Sequence, residues 1–247
     1  MKQTWNKMAR ILKRTVKRLP IAFTQNQRYD AQTVAIIKKI CGKNSNCIDV
    51  GTHRGEILDA FLKAAPGGTH FGFEPIPSFY GALQRKYASV HNVKLYDYAL
   101  SDTVGTAEFN YVTTNPAYSG LKKRSYDRKG ERDEKIIVRT ALLDEVVLPF
   151  DIPIDLIKID VEGGELAVLQ GAHKLIEKYK PVIIFEAGIG GSDVYGTTPE
   201  SLYAYFAYFN YRISLMTDYL KSKPALSAEG FKTQFIGRLN YYFVAHP

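Results

Sequence analysis

The chain has 247 residues, with 33 Lys plus Arg against 25 Asp plus Glu, a net charge of +8 and 45% hydrophobic residues. That composition excludes wholesale disorder, a collagen-like repeat and a disulfide scaffold, and no stretch approaches the ~18 consecutive apolar residues of a membrane span. The excess charge is local: Lys2, Lys7, Arg10, Lys13, Arg14, Lys17 and Arg18 fall within residues 1–20 without an acid, so the body is nearly neutral and nucleic acid is not its expected partner.

Within residues 1–24, Trp5, Met8, Ile11, Leu12, Val16 and Leu19 recur at three- and four-residue spacings. A helix gathers them on one face among the cations, and Pro20 would stop it. The interrupted pattern lacks the continuous apolar core of a secretory signal. It reads either as an arm lying on an anionic membrane surface or as a helix packed on the body with its charges solvated. Residues 25–247 are expected to form one domain. Cys41 and Cys47 have no CxxC spacing and no His-rich neighbour, so they read as thiols of a reducing compartment. The expected location is cytoplasmic, peripheral at the inner membrane face where the arm engages lipid.

From Asp30 onward, helical and strand-like stretches alternate. The pattern predicts a helix over 31–40, a strand over 46–50, a helix over 56–64, a strand over 69–73, a helix over 78–87 with Ser78 as N-cap, and a strand over 93–98. Residues 154–161 and 182–186 are apolar runs ending in acids, as strands covered on both faces read. Leu166, Leu169, His173 and Ile176 mark one helix face between them. The alternation predicts an α/β fold with an open, mostly parallel sheet and helices on both faces. Residues 106–112 and 136–140 alternate apolar and polar, predicting antiparallel strands inserted or added at an edge. The polar segment 113–135 between them is too long for a simple connection and reads as a lid or substrate loop. Thr198-Pro199-Glu200 predicts a capped helix start, with Leu202, Phe206 and Phe209 on its core face. A last strand is expected over 238–244.

The first strand ends in Asp49-Val50-Gly51-Thr52-His53-Arg54-Gly55, a D-x-G-x-x-x-G turn into a helix. Such glycines let a ligand approach the backbone beside unpaired helix N–H groups. Glu74 closes the second strand 23 residues after Gly51, near the ~20-residue offset at which an acid binds the hydroxyls of a nucleotide ribose. The spacing departs from G-x-G-x-x-G, and His53 and Arg54 fill the space a pyrophosphate would need, so a ribose ligand without one, such as S-adenosylmethionine, fits better. Asp97 or Asp102, at the third strand's end, is placed to accept from an adenine amino group, although either also suits a turn.

The densest signal is IDLIKIDVEGGE over residues 154–165. Carboxylates at the C-terminal end of a central parallel strand sit where open α/β sheets bind ligands. Asp160 and Glu162 would share a strand face if the strand ran that far, and Glu165 would open the next helix, where an acid is favoured in any case. Packed like charges would push one of these pKa values upward. Asp160 and Glu186 also suit a divalent cation, but no metal is expected.

The segments CIDVGTHRGE, HFGFEPIP, YALSD, NPAYSGLKKR, IDLIKIDVEGGELAVLQGA and KPVIIFEAG resemble the FkbM-type S-adenosylmethionine-dependent methyltransferases over roughly residues 46–188. The resemblance implies a class I methyltransferase (Rossmann-like) fold, a seven-stranded sheet with one antiparallel edge strand, and methyl transfer to a hydroxyl. It implies that Asp49, Gly51 and Gly55 line the methionine end of the cofactor and that Glu74 holds the ribose. Asp160, Glu162 and Glu165 would occupy the acidic motif on the acceptor side, with His53 where many relatives carry Asn.

An alcohol acceptor must lose its proton, so Asp160 is expected as the base, with Glu162 or Glu165 second and His53 third. Asn115, Tyr118 and Ser119 suit hydrogen bonds to, and stacking on, a polyhydroxylated acceptor. The expected function is an O-methyltransferase acting on a sugar or glycan. Methylation of RNA and a non-catalytic or NAD-binding Rossmann protein are the alternatives. Acceptor identity and oligomeric state are not legible.

Overall fold

The computed structural model describes residues 24–126 and 130–247, so the basic arm of residues 1–23 lies outside the described residues. Seven strands form the main sheet: β1 (Cys47–Val50), β2 (His70–Phe73), β3 (Val93–Tyr96), β7 (Leu156–Ile159), β8 (Val182–Glu186), β9 (Arg212–Leu215) and β10 (Tyr242–His246). Their spatial order is β3-β2-β1-β7-β8-β10-β9. The first five are mutually parallel, and β10 runs antiparallel to both β8 and β9. This is the expected mixed α/β sheet, with one adjustment: the reversed strand stands one place in from the edge. The helical crossover from β8 to β9 skips a position, and the returning β10 fills that gap by pairing on both sides.

Period-two alternation sorts the strands between two cores. Cys47, Leu156, Ile184 and Val244 face the helices Gln25–Ile40 and Glu56–Ala64. Ile48, Ile157, Ile183, Phe185 and Phe243 face the opposite layer, which includes helices Glu165–Gln170, Pro199–Tyr208 and Ala228–Ile236. β1, β2 and β7 are buried along their whole length, as strands covered on both faces are, so their polar residues Asp49, His70 and Lys158 are buried with them. The alternation also places Asp49 of β1 beside Lys158 of β7 in register, on the face toward Gln25–Ile40.

Several boundaries differ from expectation. The first helix starts at Gln25 because Thr24 and Gln27 form a capping box. The helix over Pro77–Lys86 takes Ile76 as N-cap and Pro77 in its first turn, leaving Ser78 exposed and without a capping bond. The helical stretch after β7 breaks into Glu165–Gln170 and His173–Tyr179, where Gly171 packs so tightly that a Cβ would lie 2.2 Å from the Ser101 carbonyl oxygen. Residues β5 (Gly105–Val112) and β6 (Asp133–Ala141) do pair antiparallel, but they join β4 (Tyr98–Leu100) in a separate three-stranded sheet instead of extending the main one. Ile76, Ala99, Phe109 and Val138 give that small sheet its own core. Leu202, Phe206 and Phe209 are buried as predicted. Cys41 and Cys47 are free thiols with sulfurs 3.5 Å apart. Among the described residues, no helix is long and apolar enough to cross a membrane.

The contrast between the two helix starts is measurable. Thr198 accepts from the Ser201 N–H and shares a capping box with it, so Thr198→Ala should cost about 1 kcal/mol and lower Tm by ~2–4 °C. Ser78→Ala should stay within about 0.5 kcal/mol. Thermal unfolding of the two variants side by side checks both.

Candidate active site

The C-terminal tips of β1, β2 and β7 open onto a cavity of about 370 Å³. The tips are pinned to each other: the Gly51 and Thr52 N–H groups donate to the Phe73 carbonyl at 3.1 and 3.0 Å, and the Asp160 N–H donates to the Val50 carbonyl at 3.1 Å. Gly51 has φ +82°, and a Cβ there would lie 2.0 Å from the Asp160 carbonyl oxygen. Its lack of a side chain is thus required by the approach of β1 to β7. Gly55, at φ +80°, caps the following helix in the same left-handed region, with the Tyr87 hydroxyl 2.5 Å from where a Cβ would sit.

Glu74 is buried at the floor of this cavity. Its two carboxylate oxygens accept from the His53 and Ile76 N–H groups at 2.8 and 2.9 Å, and burial pushes its pKa up to about 7 against those donors. Each oxygen retains a lone pair for a diol. His53, at φ +50°, lines the wall with its ring 4.5 Å from Phe79, and burial lowers its pKa. Asp49 lies beneath the floor with neither carboxylate oxygen hydrogen-bonded, and burial raises its pKa to about 7 despite Lys158.

A second cavity of about 700 Å³ adjoins the first, and Tyr29, Asp30, Ala117, Asp160, Glu162 and Tyr242 line both. Asp160 accepts from Lys158 Nζ at 2.9 Å and from the Tyr242 hydroxyl. Burial opposes its ionisation, but Lys158 and the donors Glu186, Tyr242 and Lys158 outweigh that and hold its pKa at about 2. Glu186, buried beside that charge, is raised well above the carboxylate range and keeps its proton. Asp160 is therefore held toward its ionised form by Lys158 and Tyr242, both of which reach the same oxygen, Oδ2.

Glu162 does not reach the cluster by strand alternation, since β7 ends at Ile159. It sits at φ +58°, an uncommon conformation for a side-chain-bearing residue, followed by Gly163 at φ +112°. Burial, then the charge of Asp160, raises its pKa to about 8, while an ion pair with Arg124 opposes the rise. Glu165 is buried, and one of its oxygens clasps the intervening turn by accepting from the Val161 and Gly163 N–H groups, both at 3.1 Å. That is a scaffolding role. Asp160, Glu162 and Glu186 bring one carboxylate oxygen each within 4.8 Å, a spacing a divalent cation could bridge.

The segment from Thr113 is folded onto β5 and does not hang free. Asn110 and Gly120 exchange backbone hydrogen bonds at 2.8 and 3.2 Å, and the Thr113 N–H donates to the Arg132 carbonyl at 2.8 Å. Asn115 and Tyr118 line the second cavity. Ser119 does not: it is buried, its hydroxyl accepts from the Val112 N–H at 2.9 Å, and it lines only the first cavity. Four cations of this region pair with acids: Lys123 with Asp133, Arg124 with Glu162, Lys135 with Glu108, and Arg139 of β6 with Asp97. Arg128 and Lys129 lie outside the described residues.

Asp97 is not brought to the site. The chain bends there from β3 into β4, turning its carboxylate toward Arg139, and Tyr98, Ala99 and Leu100 line the cavity in its place. Asp102 is likewise outside, accepting from the Ser101 hydroxyl at 3.1 Å. Four contributors went unassigned in the sequence. Lys158 was legible as a lone cation in an apolar strand, since buried lysines are nearly always paired. Tyr195, whose hydroxyl accepts from the Lys122 N–H at 2.9 Å, and Tyr242 had no local signal. Neither did Asp30, on a helix that reads as mere packing.

These features fit S-adenosylmethionine: a buried acid for the ribose, a glycine turn at the strand tip, and a carboxylate cluster facing the end of the cavity where the sulfonium would lie. Residues 49–213 match the FkbM methyltransferase domain. Methyltransferase SdnD of Sordaria araneosa is 30% identical over 159 residues, 53% of this chain and 61% of that protein. The chain thus aligns with less than two thirds of that relative. The 2-O-methyltransferase NoeI of Sinorhizobium fredii is 24% identical over 171 residues, 63% of this chain and 67% of that one. In fold, the chain is similar to an FkbM methyltransferase from Methylobacillus flagellatus, with a TM-score of 0.52 at 16% identity, covering 84% of this chain and 44% of the other. The chain belongs to the FkbM methyltransferase family, whose cofactor is S-adenosylmethionine.

Proposed function

We propose that the protein transfers the methyl group to a hydroxyl of a sugar or glycan. The observation that carries this reading is the junction of the two cavities at Asp160, Glu162 and Tyr242. One cavity has the buried ribose acceptor Glu74, and the other combines carboxylates with Asn115, Tyr118 and Tyr241, the polar and aromatic lining a polyol favours. A relative named as a 2-O-methyltransferase supports oxygen as the atom methylated.

The bound cofactor supplies an electrophilic methyl on a sulfonium. The chain's contribution is alignment, since fixing the reacting atoms near 3–3.5 Å can account for about 7–11 kcal/mol of barrier. Glu74, held by two backbone donors, fixes the nucleoside end. Asp160, held ionised by Lys158 and Tyr242, supplies a fixed negative charge at the junction, where it orients the acceptor hydroxyl. Glu162 takes the hydroxyl proton. It lines both cavities, and burial together with the charge of Asp160 raises its affinity for a proton.

At the cofactor end, adenosylhomocysteine should raise Tm. Ribose hydroxyls donate to the ionised form of Glu74, so binding requires loss of its proton. Affinity should climb as pH rises through about 7 and level off above it, the range to which burial has moved this carboxyl. Glu74→Gln should weaken binding ~10- to 100-fold and flatten that slope, as calorimetric titration would show.

At the acceptor end, Glu162→Gln should lower kcat by ~10²–10⁴-fold with cofactor affinity unchanged. Asp160→Asn should lower kcat and stability together, by about 3–5 kcal/mol in the latter, because it strands Lys158. Full turnover in Glu162→Gln would remove it as the base.

The basic pattern of residues 1–20 supports delivery of this activity to an anionic membrane surface. Removing it should abolish co-sedimentation with anionic vesicles and leave turnover on soluble acceptors intact; retained co-sedimentation would exclude that role.

A further inference from the structure

The chain has two cysteines, and the fold brings them together at the N-terminal end of β1, away from the strand tips that bear the site. Cys41 follows the last turn of the helix Gln25–Ile40, where its N–H donates to the Ile37 carbonyl at 2.8 Å. Cys47 opens β1 and is held in register with His70 of β2 and Leu156 of β7. The connection between them is a tight turn. The Ser45 N–H donates to the Gly42 carbonyl and the Gly42 N–H donates to the Ser45 hydroxyl, both at 3.1 Å. Asn46 ties the end of the turn to the sheet, its side chain accepting from the Thr69 N–H at 2.7 Å and donating to the Pro153 carbonyl at 2.8 Å. Both thiols are thus positioned by elements that are themselves fixed, and their sulfurs lie 3.5 Å apart.

A disulfide holds its sulfurs at about 2.05 Å, so the gap to close is ~1.5 Å, shared between two side chains. The thiols are not equivalent. Cys41 is partly exposed, and Cys47 is buried. With Cys47 donating to it, Cys41 is held below the usual thiol range, while the same bond, and then burial, raise Cys47. The sulfur that an oxidant can reach is therefore the one that favours the thiolate, and the buried sulfur stands behind it, as an attacking and a resolving cysteine do.

We propose that Cys41 and Cys47 form a reversible oxidation site, at which hydrogen peroxide joins them in a disulfide that fastens the helix Gln25–Ile40 to β1. The Cys41 thiolate attacks a peroxide oxygen: the S–O bond forms, the O–O bond breaks, and the departing hydroxide takes up a proton as water. Cys41 is left as a sulfenic acid. The Cys47 sulfur then attacks Cys41 Sγ: the S–S bond forms, the S–O bond breaks, and the leaving hydroxide carries off the Cys47 proton as water. The thiols give up an electron pair, the peroxide is reduced to water, and a dithiol reverses the change by exchange. The helix so fastened carries Tyr29, Asp30 and Thr33 to the wall of the cofactor cavity. The oxidation is independent of the methyl acceptor.

The test treats the full chain with a stoichiometric amount of hydrogen peroxide and titrates free thiols after denaturation. Both thiols should disappear together in a monomer, with a mass that shows lost hydrogen and no added oxygen, and dithiothreitol should restore them. The oxidised form should unfold about 3–8 °C above the reduced form, a shift absent from Cys41→Ser and Cys47→Ser. In Cys47→Ser the sulfenic acid should persist on Cys41 and be captured by dimedone, whereas the folded Cys41→Ser variant should stay unlabelled. A rise in Tm with adenosylhomocysteine shows that each variant is folded. Thiols that survive in the folded wild-type chain, a bond formed only between chains, or oxidation of Cys41 to a sulfinic acid without a disulfide overturns the site. A disulfide that leaves Tm unchanged or lowers it overturns the fastening.

Discussion

A single buried cation makes the carboxylate cluster tenable. Lys158 sits on the fully buried strand β7, with its ammonium 2.9 Å from Asp160 and in register with Asp49. An isolated lysine there would lose its charge, and an isolated Asp160 would take up a proton. Together they leave one permanently ionised carboxylate at the strand tip. Desolvation of each is offset by the other and by the Tyr242 hydroxyl. The neighbouring acids then adjust to that fixed charge: Glu186 retains its proton, Glu162 is pushed toward neutrality and restrained by Arg124, and Glu165 is spent on the turn. Four acids in one place thus come to have four different states.

The fold supplies this geometry through strand order. Placing β1 between β2 and β7 puts a glycine turn next to two acid-bearing strand tips, and the close packing of Gly51 on the Asp160 carbonyl locks the two halves of the site together. Because the cofactor side and the acceptor side meet at a backbone contact within van der Waals limits, a displacement at one is transmitted to the other. The small sheet β4-β6-β5 then carries the segment from Thr113 over the opening, where Arg124 and Tyr195 fasten it to the acidic turn.

Part of the cofactor side was legible in the sequence because it is local: Gly51 and Glu74 line the first cavity, whereas Asp49, Gly55 and Asp97 do not. D-x-G-x-x-x-G and Glu74 act within a single β-turn-helix-β unit, and period-two and helical patterns locate its elements to within a few residues. The acceptor side is not local. Tyr242, Asp30 and Tyr195 come from elements separated by most of the chain, and nothing in their immediate sequence distinguishes them from core or rim aromatics and surface acids. Asp97 and Ser119 were misplaced for related reasons. A one-residue bend between β3 and β4 turned Asp97 outward, and folding the segment back onto β5 consumed the Ser119 hydroxyl. Ser78 lost its capping role because the helix opens earlier, with Ile76 as N-cap and Pro77 in its first turn. The second sheet was also out of reach, since alternation shows that strands pair antiparallel but not which sheet they join.

That division between local and assembled features bears on how the chemistry is shared out. Asp160, the residue the motif points to most directly, is stabilised in its ionised form by Lys158 of β7 and Tyr242 of β10, which weakens it as a proton acceptor. Glu162 is held by backbone strain and one guanidinium from a segment that itself lines the acceptor cavity. In the proposed reaction, an acceptor that competed for Arg124 would free Glu162 to take its proton. On that reading, the fixed charge would sit at the tip of the sheet and the proton acceptor on the turn that follows it, separating two demands, permanence and responsiveness, that one residue could not meet.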